Sequence, residues 1–343
     1  MMISFASDNY ASALPEVLDS LIAANSGHAP AYGSDPVTEQ AIILIQQALN
    51  IHAPVYFVGT GTAANVLALK AMLLDYQSII APDSAHIVTH ETGAAAHLTG
   101  SKILTAINQQ GKITAGAIRE QFLKETFWGR HATEPKVVSI SQPTEFGTVY
   151  SLDELATIRT VCDELDLTLH IDGCRLYNAA VALDCSLAEL AGFADILCLG
   201  GTKAGLMFGE ALVFINETLA HNFDRRQKLG LQLHSKMRFI SAQFQALFTH
   251  ELGIKAARHA NTMAQRLWSG LSELGATALY PVESNQLFVT LPAHVIAPLQ
   301  EVYPFYLFDS EQNLVRLITS HDTQPEHVDH FLDHFLTIMK DAL

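Results

Sequence analysis

Two short apolar runs that stop abruptly at glycine set the character of this chain. Leu167-Thr-Leu-His-Ile171 ends in Asp172-Gly-Cys-Arg175, and Asp195-Ile-Leu-Cys-Leu199 ends in Gly200-Gly-Thr-Lys203-Ala-Gly205. Such runs are too short for surface helices and too continuously apolar for half-exposed strands, so both read as buried strands of a parallel sheet. Each delivers a charged residue at its carboxyl end, where open α/β sheets bind their ligands. Taken singly, Asp172 and Lys203 read as ordinary solvated loop charges. Taken together, they ask for a common ligand.

A third strand supplies the missing part of that ligand. Pro54-Val-Tyr-Phe-Val58 runs into Gly59-Thr60-Gly61-Thr62-Ala-Ala-Asn65, and a helix follows from Val66 to Leu74. Strand, glycine loop and helix present backbone N–H groups and a helix dipole to a phosphate. The loop lacks the Gly-Lys-Ser/Thr ending of a P-loop, and Asn65 stands where a dinucleotide fingerprint has its third glycine. A phosphate site follows, but not one for NTP or NAD; the plainer alternative is a tight turn that needs small residues. An acid, a lysine and a phosphate loop suit pyridoxal phosphate, with Lys203 as the Schiff-base lysine and Asp172 keeping the pyridinium nitrogen protonated.

The rest of the chain reads as α/β, a mostly parallel sheet flanked by helices. Further strands fall at 78–81, 102–104, 137–141 and 208–215, the last with Glu210 inside it. The helix 152–165 opens with a capping box, Ser151 and Glu154. The alternation stops near residue 216, a long helical stretch covers 237–252 and 254–274, and half-exposed strands follow at 286–291, 305–308 and 314–318. This divides the chain into a large unit, 1–249, and a smaller C-terminal α+β unit, 250–343. Within 343 residues there is room for both.

Composition narrows the function. A net charge of −15 without a phosphate-tracking basic face argues against nucleic acid and against an anionic membrane surface. No apolar run approaches the ~20 residues of a membrane span, and the start of the chain has no secretory pattern. Cys162, Cys174, Cys185 and Cys198 form no Cys-x-x-Cys pair and read as reduced thiols of a cytoplasmic protein. With 49% hydrophobic and 16% charged residues, subunit contacts are expected. His86 at a strand-to-helix junction is placed to lie over a flat ring, and Glu145 at a strand edge is a candidate acid or base. Arg316, flanked by Val315 and Leu317, suits a bidentate pair with a carboxylate. His90 and His97 read as packing or surface. His327, His330 and His334 share a helix face without the further ligands a metal needs, so no metal site is assigned.

Eight stretches, in order, resemble the threonine aldolases of the fold-type-I pyridoxal phosphate enzymes, grouped with the β-eliminating lyases. They are Ser7-Asp8, Tyr32-Gly33-Ser-Asp35-Pro36, Gly59 to Asn65, Ser84-Ala-His86, His170-Ile-Asp-Gly-Cys-Arg175, Gly201-Thr-Lys203, Ser284-Asn285-Gln-Leu-Phe-Val289 and Val315-Arg316-Leu317. The resemblance implies cleavage of L-threonine, L-allo-threonine and related β-hydroxy-α-amino acids to glycine and an aldehyde, a carbon–carbon lyase of amino-acid metabolism. It implies His86 stacked on the cofactor ring, Gly59, Thr60, Gly61 and Thr62 around the phosphate, and Arg238 reaching a neighbour's phosphate in a dimer of dimers with shared sites. Ser7, Tyr32, Arg175 and Arg316 fall on the substrate, Arg175 also near the ring oxygen. His86, Glu145 or an ordered water is the base. Two positions depart from the family: Glu145 stands where some members carry histidine, and Cys174 where alanine is common. The same lysine, aspartate and phosphate loop would also serve β-elimination, decarboxylation or transamination, and a binding relative without turnover would keep the fold.

Overall fold

The computed structural model describes residues 3–341. Two helices come first, α1 (Pro15–Ala24) and α2 (Pro36–Leu49), the second capped by the Asp35 carboxylate on the Thr38 N–H. Then β1 (Val55–Val58) leads through the glycine loop into α3 (Gly61–Met72), followed by β2 (Gln77–Pro82), the short α4 (His86–Thr89) and α5 (Ala94–Thr99), and β3 (Lys102–Ala106). After α6 (Ala115–Thr126) come β4 (Glu134–Ser141), α7 (Leu152–Glu164), β5 (Thr168–Gly173), α8 (Leu176–Leu183), α9 (Leu187–Ala191), β6 (Ile196–Leu199) and β7 (Glu210–Phe214). The capping box at Ser151 and Glu154 is formed as expected.

Seven strands make one sheet in the order β1-β7-β6-β5-β4-β2-β3. Pairings from β3 across to β6 are parallel, whereas β7 runs antiparallel to both β6 and β1. The apolar runs behave as continuous hydrophobicity demands. Along β6, Leu197 and Leu199 enter the core on one face while Ile196 and Cys198 enter the core on the other. Alternation fails as a sequence signal here because both faces are covered.

After α10 (Phe223–Leu229) and α11 (Arg238–Phe248), the chain enters α12 (Leu252–Glu273). The long helical stretch is thus interrupted, since His250 and Glu251 take left-handed backbone angles. A second, antiparallel sheet follows, built from β8 (Thr277–Ala278), β9 (Gln286–Thr290), β10 (Tyr306–Asp309) and β11 (Leu314–Ile318), with α13 (Ala293–Val302) and α14 (Pro325–Asp341). Its core includes a residue from the far end of the chain. Phe5 is fully buried there, edge-on to Phe331 at 5.1 Å, and exchanges backbone hydrogen bonds with Pro304 and Ile318. Among the described residues, no helix is long and apolar enough to cross a membrane.

The ends of β5 and β6 approach so closely that only glycine fits between them. A Cβ on Gly200 would lie 2.3 Å from the Cys174 carbonyl oxygen, and one on Gly201 would lie 2.4 Å from the Gly209 carbonyl oxygen. Both obstacles are backbone, which cannot swing aside. Gly200→Ala is therefore expected to destabilise the protein by about 2–4 kcal/mol through forced backbone displacement; urea unfolding of the two proteins measures it.

Candidate active site

A cavity of about 410 Å³ opens at the carboxyl ends of the parallel strands, within the range of small-molecule sites. Its floor is Asp172, the penultimate residue of β5 and only 7% exposed. Oδ2 accepts from the Asn65 amide at 2.8 Å and Oδ1 from the Cys174 N–H at 3.0 Å. Burial favours the neutral carboxyl, but the Asn65 hydrogen bond and the Lys203 charge outweigh it and hold Asp172 below the usual carboxylate range. The buried His170 beneath it bonds Ser139 and Cys198, and burial pushes its pKa down to about 4. The β5 end thus carries an anion above a neutral imidazole.

Lys203 lines the same cavity from a 3₁₀ turn, Thr202–Ala204, that follows β6. Its Nζ sits 3.6 Å from the Cys174 sulfur. Burial raises the Cys174 thiol to about 11, with Lys203 opposing, so the lysine's neighbour is an uncharged thiol. At the phosphate end, the Thr60 hydroxyl caps α3 by accepting the Ala63 N–H. A Cβ on Gly61 would meet nothing within 4 Å, so space lies open before the helix's first turn. Gly61 and Thr62 line the cavity; Gly59 and Thr60 lie just outside it, the Gly59 N–H being bonded to Gln232.

On the opposite wall, Arg316 of β11 faces the large sheet. It lies over the Tyr306 ring at 5.0 Å, and its Nε is buried without a partner. The resemblance places Arg175 on the substrate, and in the structure its guanidinium is engaged by a carboxylate of the same chain. It forks onto Asp8, Nε to Oδ2 at 2.6 Å and Nη2 to Oδ1 at 2.9 Å, while Asn285 adds a third donor at 3.1 Å. Burial opposes the Asp8 charge, and Arg175 more than restores it, so Asp8 also lies below its usual range. Ser7 lines the cavity beside this pair and caps the short turn 8–10.

Glu145 and His86 are in contact. Glu145 Oε1 accepts the His86 N–H at 2.8 Å and the Ser141 hydroxyl at 2.6 Å, and its Oε2 is buried without a partner. Burial raises its pKa despite those donors. The His86 imidazole turns instead to Glu91, Nδ1 to Oε1 at 2.8 Å, and Asn65 donates to that same oxygen. An unbroken run Asp172–Asn65–Glu91–His86 therefore joins the cavity floor to its rim. Asn65 stands out in the sequence only as the last residue of the glycine-loop stretch, and Glu91, between α4 and α5, carries no periodic or motif signal. His90, read as packing or surface, lines the cavity too, stacked on His86 at 5.7 Å.

Besides Gly59 and Thr60, two further expected site residues are not brought in. Tyr32 is half exposed under Lys228, and Arg238, at the start of α11, has a buried Nε without a partner; neither lines this cavity. Among the described residues, no group of three or more His, Cys, Asp or Glu is arranged to hold a metal. The donor set does fit pyridoxal phosphate. It offers a buried anion with free lone pairs, an amine beside a neutral thiol, and open space at a helix N-terminus.

Residues 4–294 match the model of the β-eliminating lyases. The chain belongs to the β-eliminating lyase family. A low-specificity L-threonine aldolase of Pseudomonas aeruginosa is 41% identical over 329 residues, 94% of each chain. One of Saccharomyces cerevisiae is 25% identical, covering 85% of this chain and 75% of its own. Among solved structures, a threonine aldolase of Leishmania major superposes with a TM-score of 0.94 at 33% identity, covering 98% and 99% of the two chains. A Thermus thermophilus aspartate aminotransferase, 14% identical over 98% and 91% of the two chains with a TM-score of 0.73, shares the fold alone. The family and this fold, fold type I, imply a pyridoxal phosphate enzyme, a lyase.

The Asp8–Arg175 fork makes a pH-dependent contribution. Asp8 has a lowered pKa in the fold, so its stabilisation is full above its unfolded value and fades as pH drops through the folded one. Asp8→Asn is expected to cost about 3 kcal/mol at pH 7 by stranding a buried guanidinium. The gap to wild type should shrink below about pH 4, which urea unfolding at about pH 7 and pH 3 will compare.

Proposed function

We propose that this lyase cleaves L-threonine and L-allo-threonine, and related β-hydroxy-α-amino acids, between Cα and Cβ to give glycine and an aldehyde, acetaldehyde from threonine. The observation that carries this reading is a buried, ionised Asp172 sharing one cavity with Lys203 and an unsatisfied Arg316. The names of its relatives, low-specificity L-threonine aldolase and threonine aldolase, support it. Lys203 is the covalent anchor of the cofactor, Asp172 the partner of its pyridinium nitrogen, and Gly59, Thr60, Gly61 and Thr62 the phosphate cradle. Pyridoxal phosphate, when bound, accepts the electron pair released as the Cα–Cβ bond breaks.

The remaining work falls to side chains. Arg316 takes the substrate carboxylate, aided by Ser7, and so fixes the orientation in which the bonds at Cα are presented for cleavage. Arg175, already forked onto Asp8, contributes through its outward N–H groups. The base acting on the β-hydroxyl is His86. With Nδ1–H donated to the Glu91 carboxylate, Nε2 keeps a lone pair for the proton; this tautomer is assigned from the hydrogen-bond network. Glu145 holds the His86 backbone and orders Ser141.

The same reading extends to assembly and compartment. The large unit, 1–249, holds the cofactor, and the smaller one, 250–343, holds the substrate carboxylate through Arg316. Arg238 and Tyr32, outside the cavity of their own chain, belong to the site of a second copy in a homo-oligomer, a dimer of dimers. Exposed Leu229 and Leu231, at 75% and 85%, support a covered face nearby. Four free cysteines support a cytoplasmic location, and an amino-acid substrate makes the role one in amino-acid metabolism.

Purified protein with pyridoxal phosphate should absorb near the visible edge and release acetaldehyde and glycine from L-threonine. Lys203→Ala should lose both the band and the turnover. A band without acetaldehyde would instead favour β-elimination or transamination. Arg316→Ala should raise KM for threonine by about 10–100-fold, the value of a bidentate charge-assisted pair, as steady-state kinetics will report.

A further inference from the structure

β7 begins with a residue out of keeping with the rest of the strand. Glu210 heads the run Glu210-Ala-Leu-Val-Phe214, in which every residue is buried. A buried carboxylate is unfavourable unless paired with a cation or fully hydrogen-bonded, yet among the described residues Glu210 makes no ion pair within 4.0 Å. Its partners are two donors from the turn that carries Lys203. The Gly201 N–H donates to Oε2 at 2.6 Å and the Thr202 hydroxyl to Oε1 at 2.8 Å. That hydroxyl also accepts the Gly209 N–H at 3.2 Å. The carboxyl group therefore holds the two residues immediately before the lysine, and the Thr202 hydroxyl in turn ties them to Gly209.

Holding a turn needs acceptors, and a neutral side chain has them. A charge adds something only if an opposite charge feels it. The ionisable groups facing Glu210 are Lys203 from the turn, Asp172 from β5, Cys198 from β6 and Tyr177 from α8. Lys203 is the one that carries a positive charge. Tyr177 is raised by burial and by Glu210, and its hydroxyl is buried without a partner. Burial lifts Glu210 itself to about 7; the Gly201 and Thr202 donors and the Lys203 charge resist, while Asp172 adds to the rise.

We propose that Glu210 is a positioning residue for Lys203: its carboxylate fixes the lysine's turn through Gly201 and Thr202, and its negative charge stabilises the protonated lysine nitrogen. This rests on the role given to Lys203 above. Glu210 acts on reacting atoms only through that nitrogen. Asp172 governs the far side of the same cavity, so the lysine lies under the influence of two buried acids, one on each neighbouring strand end.

The test is the pH titration of the visible band in the cofactor-loaded protein, wild type against Glu210→Gln and Glu210→Ala, with steady-state kinetics and thermal unfolding alongside. Glutamine keeps an acceptor and the shape but removes the charge, so the lysine nitrogen should shed its proton at a pH lower by about one unit. Its unfolding temperature should stay near that of wild type. Alanine should lower kcat about tenfold, with KM for threonine changed less than about twofold, as expected for a lysine held less firmly. If alanine prevents folding, the glutamine titration decides alone. A Gln variant that titrates like wild type would overturn the proposal, as would loss of thermal stability with kcat intact. Absence of any band in the wild type would instead overturn the role given to Lys203.

Discussion

Burial of one carboxylate, Asp172, is the constraint on which the rest of the site depends. At the end of a parallel strand, it has no water to stabilise its charge and must be given donors by its own structure. The Asn65 amide provides one, and Asn65 belongs to α3, the helix whose first turn faces the phosphate end. The helix that shapes the phosphate loop is thereby pinned to the strand that carries the acid. Because Asn65 also binds Glu91, and Glu91 binds His86, the spacing between cavity floor, helix and rim histidine is set by a single hydrogen-bonded run.

The opposite wall is organised by a different pairing. Asp8 and Arg175 neutralise each other, which leaves Arg316 as the cation on this wall with a buried, unpartnered nitrogen. Two adjacent guanidinium groups would repel; tying one to an aspartate lets the other remain available to an incoming carboxylate. Arg316 is held in turn by Tyr306 and by the Ala6 carbonyl at 3.5 Å. The cavity is thus a meeting of three chain segments, each electrostatically prepared before a ligand arrives.

How much of this was legible beforehand follows from the range of each signal. Strands covered on both faces announce themselves as apolar runs, so β5 and β6 and the charges at their ends could be read locally. The capping box and the glycine loop are likewise contained within a few residues. The joint role of Asn65 and Glu91 could not be read, because Asn65 closes the glycine-loop stretch but its partners Asp172 and Glu91 lie 107 and 26 residues away. The pairing of Arg175 with Asp8 was hidden for the same reason: the two lie 167 residues apart. The break between α11 and α12 is expected at Gly253 and falls slightly earlier, since only backbone angle marks His250 and Glu251 and neither is a proline or glycine.

The burial of Phe5 has a consequence for how the protein comes into being. The N-terminal segment leaves the ribosome first, but its partners Pro304 and Ile318 are made near the end, and the Asp8 partner Asn285 lies 277 residues downstream. Such a distant contact closes late, after the intervening chain has collapsed. Residues 5–8 must wait, undocked, until the strand that carries Arg316 has been made. A chain cut short before that strand has no assembled wall to hold a substrate.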